Sequence, residues 1–310
     1  MQRRTFVAGA LATGTSLAVS TLGFAQTDAD PATPLAQGGE MTEATFETGY
    51  APVNGLDLYY EIHGSGGVPL VLLHGAYTTI NTSFGAVLPG LAATRQVIAI
   101  EQQGHGHTAD IDRPLTYERM ADDTAALLRH LGIEHADVFG YSMGGTTALA
   151  LAIQHPDLIR KLVIAGSNFN NEGLYPEILG SIAQITPAVF AGSPIQEEYD
   201  RVAPDPDGFP ALVDKLKQLD LEFAGLATED LRTINAPSLI IIGDADAVRP
   251  EHAIELFRLL GGGVAGDVVG LPRSRLAVLP GTTHVGLVFQ AEWLLSMISA
   301  FLDAPMPEAD

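Results

Sequence analysis

Apolar positions along the chain fall into two kinds of run. Short continuous runs at 69–73, 96–100, 136–141, 162–165, 238–242 and 275–279 are too brief for helices and lack polar alternation. That is the pattern of strands buried on both faces. Between them lie stretches with apolar residues at helical spacing, at 84–92, 116–131, 143–155, 251–260 and 286–302. The 116–131 stretch has an acidic first turn and stops before Gly132, as a helix should. Ahead of all these, Asn54-Gly55 followed by Tyr59-Tyr60-Glu61-Ile62 reads as a hairpin. Strands alternating with helices predict right-handed crossovers and an α/β fold with one mostly parallel sheet.

One interval breaks the rhythm. Between 166 and 237 no buried strand is evident, and helix-like pieces at 175–185 and 211–223 are separated by turns such as Ala203-Pro204-Asp205-Pro206. A structureless loop of that length does not suit a compact domain. The expectation is a helical cap, about 167–235, inserted over the sheet. Its apolar residues, among them Phe169, Tyr175, Phe190, Phe209 and Leu212, leave one face of each helix greasy.

Composition narrows the function. The chain has 310 residues, 46% of them hydrophobic and 17% charged, which suits a globular protein rather than a disordered one. A net charge of −21 repels polyanions, so nucleic acid is not an expected partner. With no cysteine, disulfides, zinc–thiolate sites, iron–sulfur clusters and a cysteine nucleophile are excluded.

The first residues read as an address. Arg3-Arg4 precede an apolar, small-residue run from Val7 to Ala25, the outline of a secretory signal peptide over 1–25. The arginine pair resembles the twin-arginine export signal. Three glycines and many Ser/Thr make the run a poor membrane span, so no stable anchor is expected after cleavage. Residues 26–45, rich in Ala, Thr, Asp, Pro and Gly, read as a flexible leader to a domain over 46–310. Export implies a periplasmic or secreted protein.

The chemistry is carried by Gly140-Tyr141-Ser142-Met143-Gly144, set directly between a strand and a helix. So sharp a turn strains the serine backbone and leaves no room for neighbouring side chains. It presents the Ser142 hydroxyl at the end of the sheet beside a helix N-terminus, where developing negative charge is favoured.

From about Val53 to Leu302 the chain resembles the α/β-hydrolase fold family, the serine esterase-like members in particular. That resemblance implies a mostly parallel central sheet with helices on both faces and an inserted helical cap. It also implies partners for the serine in the order Ser…Asp…His. The strand at 238–242 runs into Gly243-Asp244-Ala245-Asp246, and the family's Gly-x-x-Asp form selects Asp246 over Asp244, a turn-capping residue. Of nine histidines, His284 alone follows the last strand and comes after the acid. The resemblance further implies an oxyanion hole from the backbone N–H groups of Met143 and Ala76, with Tyr77 as the alternative to Ala76. Tyr77 and Tyr141 are the candidate substrate contacts.

His105 sits inside the Gly-x-Gly turn Gly104-His105-Gly106, with His107, Asp110 and Asp112 just after it; the resemblance implies that this turn shapes the site entrance, so no metal is expected. No cofactor motif is present, and Phe289, Trp293, Leu294 and Leu295 sit at core spacing on the last helix. The expected activity is hydrolysis of an ester with a small or medium apolar substrate, through an acyl-enzyme. The alternatives on the same residues are a cofactor-free haloperoxidase or perhydrolase, a lactonase, a C–C hydrolase, and a non-catalytic ligand-binding member of the fold. Oligomeric state is not readable.

Overall fold

The computed structural model describes residues 46–307. The signal-peptide and leader readings fall on 1–45 and lie outside the described residues. Eight strands form one sheet: β1 (Glu47–Val53), β2 (Leu56–His63), β3 (Leu70–Leu73), β4 (Val97–Ile100), β5 (Ala136–Tyr141), β6 (Ile159–Ala165), β7 (Ser238–Ala245) and β8 (Ser274–Thr283). Their order is β1-β2-β4-β3-β5-β6-β7-β8. β1 and β2 form the antiparallel hairpin turned by Asn54 and Gly55, both at positive φ, and β2 lies antiparallel to β4. All later pairings are parallel.

The continuous apolar runs serve two cores. Along β3, Val71 and Leu73 join one cluster, and Leu70 and Leu72 the opposite one, with all four side chains fully buried. Burying each is worth about 1.5–3 kcal/mol. The first cluster is closed by α3 (Tyr117–His130), α4 (Met143–Gln154) and α9 (Pro250–Leu259). The second is closed by α1 (Ile80–Phe84), α2 (Leu88–Ala92) and α11 (Ala291–Asp303). Helices therefore cover both faces.

Between β6 and β7 the chain forms α5 (Pro176–Gln184), α6 (Pro194–Val202), α7 (Phe209–Glu222) and the short α8 (Thr228–Leu231), joined by 3₁₀ turns. α6 was not anticipated, although Ser193 before Pro194 is a start signal and its hydroxyl accepts from the Gln196 N–H. A last short helix, α10 (Gly266–Val269), precedes β8.

Two other expectations need correction. The stretch 84–92 is not one helix but the end of α1 and all of α2, because the chain turns at Gly85. The final helix is interrupted: a 3₁₀ segment at Val285–Phe289 ends at Gln290 before α11 begins. That break turns Phe289 and Trp293 out of the core, to 66% and 44% exposure, while Leu294 stays inside. β8 runs on to Thr283 and contains Pro280, tolerated because β8 is an edge strand.

Candidate active site

Ser142 is the residue between β5 and α4, with φ 53 and ψ −121. A non-glycine residue held there stores about 1–3 kcal/mol of strain. The surroundings enforce it: the Ser142 N–H donates to the Ala165 carbonyl of β6, and its own carbonyl accepts from Gly145, Thr146 and the Ser167 hydroxyl. The flanking glycines have no room for a side chain. A Cβ on Gly144 would stand 2.0 Å from the Leu73 carbonyl oxygen, and one on Gly145 would stand 1.9 Å from the Ser167 hydroxyl.

The Ser142 hydroxyl lies 3.0 Å from His284 Nε2, and His284 Nδ1 lies 2.7 Å from Asp246 Oδ1. The carboxylate fixes the proton on Nδ1, leaving Nε2 to accept from the serine. Asp246 is buried just past β7, with Oδ1 also accepting from the Val248 N–H at 3.1 Å and Oδ2 from the Gly243 N–H at 3.2 Å. Burial alone would raise its carboxyl, but hydrogen bonding and charge from His284, with the two N–H donors, hold it below the ordinary aspartate value. Asp244 points elsewhere: it is exposed and accepts from the Thr282 N–H.

Tyr141 corrects the sequence reading. Its ring stacks on the His284 imidazole at 5.3 Å, and its hydroxyl donates to the His284 carbonyl at 3.0 Å. At 5% exposure it supports the histidine and offers a substrate almost no surface. Gly166, at φ 58, backs the same ring: a Cβ there would lie 3.2 Å from two imidazole atoms.

The loop after β3 is held by two histidines. His74 Nδ1–H donates to the Gly75 carbonyl at 2.8 Å, and Nε2 accepts from the Gln102 N–H at 3.0 Å. The Gly75 carbonyl also accepts from the Thr78 N–H and hydroxyl. In a trans peptide the N–H points opposite the C=O, so pinning that carbonyl aims the Ala76 N–H the other way. A Gly75 Cβ would sit 3.4 Å from the Ser142 Cβ, which places this loop beside the serine. Among the described residues neither the Ala76 nor the Met143 N–H has an acceptor. The Tyr77 N–H, by contrast, donates to His105 Nε2 at 3.3 Å, which leaves Ala76 as the unpaired donor. Burial lowers both His74 and His105, keeping them neutral, as acceptors of N–H groups must be.

Sequence reasoning missed the brace from His105, whose signal was a histidine enclosed by two glycines. His107 and the rest of its loop serve structure: Glu101 accepts from the His107 N–H at 2.6 Å and pairs with its ring. No group of three or more His, Asp or Glu suited to a metal occurs among the described residues. A serine hydroxyl, a carboxylate-oriented imidazole and two free N–H donors can together carry nucleophilic acyl transfer.

The model of the alpha/beta hydrolase fold family matches residues 68–207. The chain has the α/β-hydrolase fold. Mouse serine hydrolase BPHL is 28% identical over 75% of this chain and 78% of its own length. The 2-hydroxymuconate semialdehyde hydrolase of Pseudomonas sp. strain CF600 is 39% identical, over 34% of this chain. The chain spans 39% of that enzyme and 66% of another relative, the dihydrolipoyllysine-residue acetyltransferase component of the acetoin cleaving system of Pseudomonas putida. Among solved structures, the CarC serine hydrolase of carbazole degradation superposes with a TM-score of 0.66 at 23% identity, covering 83% of this chain and 99% of that one. The Burkholderia xenovorans enol-lactonase gives 0.62 at 23% identity, covering 82% and 100%. These superpositions establish the α/β-hydrolase fold, and the curated relatives named here include hydrolases.

Proposed function

We propose that the chain is a serine hydrolase that cleaves an ester bond of a small or medium apolar substrate through an acyl-enzyme. One observation carries the reading: the unbroken hydrogen-bonded line from Ser142 through His284 to Asp246, beside the unpaired N–H groups of Met143 and Ala76. In this mechanism Ser142 Oγ attacks the ester carbonyl as His284 Nε2 takes its proton, while Asp246 stabilises the imidazolium. The Met143 and Ala76 N–H groups receive the oxyanion; such a donor contributes about 3–4 kcal/mol to the transition state. Collapse expels the alcohol, protonated by His284, and water repeats the sequence to release the acid.

A second reading, cleavage of a C–C bond on the same residues, draws support from the names of relatives, a semialdehyde hydrolase and a meta-cleavage product hydrolase. The test is labelling by a fluorophosphonate, then turnover of p-nitrophenyl esters of graded acyl length, with lactones, ring-cleavage dienones and peroxide-dependent halogenation in parallel. Labelling at Ser142 with ester turnover supports ester hydrolysis. Labelling with turnover of dienones alone supports the second reading. Failure to label removes the serine mechanism. We also propose that 1–25 directs export to the periplasm or beyond; Arg3→Lys with Arg4→Lys should retain the protein in the cytoplasm on fractionation.

A further inference from the structure

The segment that follows the catalytic histidine turns apolar side chains in both directions. In the 3₁₀ turn Val285–Phe289 and the first turn of α11, Leu287, Val288 and Leu294 are buried in the second core cluster. Val285, Phe289 and Trp293 stand outside it, Val285 at 53% exposure beside the two aromatic residues already noted. The inner residues pin the segment, so the fold itself holds the outer ones in water. Single exposed apolar side chains are ordinary, but several on one short segment form a patch, and such patches mark contact surfaces.

Place, charge and size decide what this patch touches. It begins one residue after His284, whose own side chain is 25% exposed. No Asp, Glu, Lys or Arg lies between Arg275 and Glu292, in a chain of net charge −21. The three side chains expose roughly 300 Å² together, against about 800 Å² per partner in a stable protein–protein interface. A second copy of the chain would find too little here to hold it. A lipid surface needs no matching partner: it takes Trp and Phe at headgroup level, with a strength that scales with apolar area. The net negative charge, with Glu292 exposed at the border of the patch, favours neutral headgroups over anionic ones.

We propose that Val285, Phe289 and Trp293 dock the molecule reversibly on a neutral lipid surface, placing the site where esters dissolved in that surface reach Ser142. The docking stands on the patch; the ester as the group taken rests on the reading above.

Trp293 is the only tryptophan of the chain, so its emission reports from the patch itself. Wild type and Phe289→Ser are titrated with vesicles of phosphatidylcholine, of phosphatidylcholine brominated in its acyl chains, and of phosphatidylcholine with phosphatidylserine. Residues 1–25 are the same in both proteins, so any binding through them is common to both. Wild-type emission should shift to the blue on phosphatidylcholine and be quenched by bromine. Binding should weaken with phosphatidylserine, and weaken at least about tenfold in Phe289→Ser. Turnover is then compared for p-nitrophenyl butyrate in solution and for a long-chain p-nitrophenyl ester carried in the vesicles. Phe289→Ser should leave the first within about twofold and lower the second about tenfold or more. Absence of quenching on brominated phosphatidylcholine overturns the docking. So does a shift of emission with protein concentration alone, the mark of a second copy on the patch. Tighter binding to phosphatidylserine overturns the neutral surface. Quenching in wild type with no fall in the vesicle-borne rate of Phe289→Ser overturns the link to substrate. If Ser142→Ala docks while wild type turns over no ester in either form, the ester reading falls and the docking stands.

Discussion

Replacing Asp246 by asparagine tests how the line of groups at the site is ordered. Each carboxylate oxygen has a donor: Oδ1 takes His284 Nδ1–H and the Val248 N–H, and Oδ2 takes the Gly243 N–H. An amide offers one acceptor and one donor. With its NH₂ at the Oδ2 position it faces the Gly243 N–H, donor against donor. With its NH₂ at Oδ1 it faces Val248, and His284 must move its proton to Nε2 to accept from it. Each orientation leaves one unsatisfied backbone N–H, a cost of about 1–3 kcal/mol in stability. Only the first leaves Nε2 free to accept the serine proton, and neither supplies the negative charge that steadies the imidazolium. In triads of this type the change lowers kcat by about 10⁴, or roughly 5.5 kcal/mol of barrier. Asp244→Asn keeps an acceptor for Thr282 on an exposed side chain, so its kcat should stay within about twofold of wild type, under roughly 0.5 kcal/mol. The assay is steady-state hydrolysis of p-nitrophenyl butyrate at pH 8, with thermal unfolding to confirm that both variants fold. Similar losses of kcat in the two variants, or a tenth of wild-type kcat in Asp246→Asn, would refute the assignment.

Ser142→Ala and His284→Ala should each remove nearly all turnover, and the double variant should lose no more than either alone, because the two act as one unit; additive losses measured by kcat would break the mechanism. The His252 ring, stacked on Phe169 at 4.0 Å, accepts the Phe169 N–H on Nε2, and burial lowers its pKa from 6.5 to about 4. The folded state thus resists protonation, so stability is full above about 6.5 and is lost as pH falls from there toward 4. Urea unfolding across that range should show up to about 3 kcal/mol more acid loss in wild type than in His252→Gln, and parallel curves would count against it. Gly144→Ala forces a Cβ against β3 backbone and should cost more than about 3 kcal/mol, whereas Gly132→Ala, at φ 70 with nothing nearby, should cost only about 1–2; equal urea midpoints would show that the elbow yields.

The parallel core was legible because β3, β4 and β5 are sealed on both faces, and a continuous apolar run has few other uses. Ser142, Asp246 and His284, spread over 142 positions of the chain, meet because each ends or follows a strand of the same sheet. What could not be read depended on packing rather than on local pattern. The turn-out of Phe289 and Trp293 follows from a break at Gln290 that has neither glycine nor proline to announce it. Tyr141 gave no hint that its hydroxyl would hold the His284 carbonyl, since the two lie 143 positions apart.

The strained backbone of Ser142 has a consequence for how activity reports on the molecule. Its amide proton is held by β6 and its carbonyl by α4 and Ser167. Relaxing the elbow therefore means separating the middle of the sheet from the helix that follows it. Exchange of the Ser142 amide with deuterated water should then proceed only through global opening, as slowly as the central strands. A population that retains the core without a competent serine has no easy route to form. Catalytic titre would in that case measure the folded fraction of a preparation directly, whatever state the cap is in.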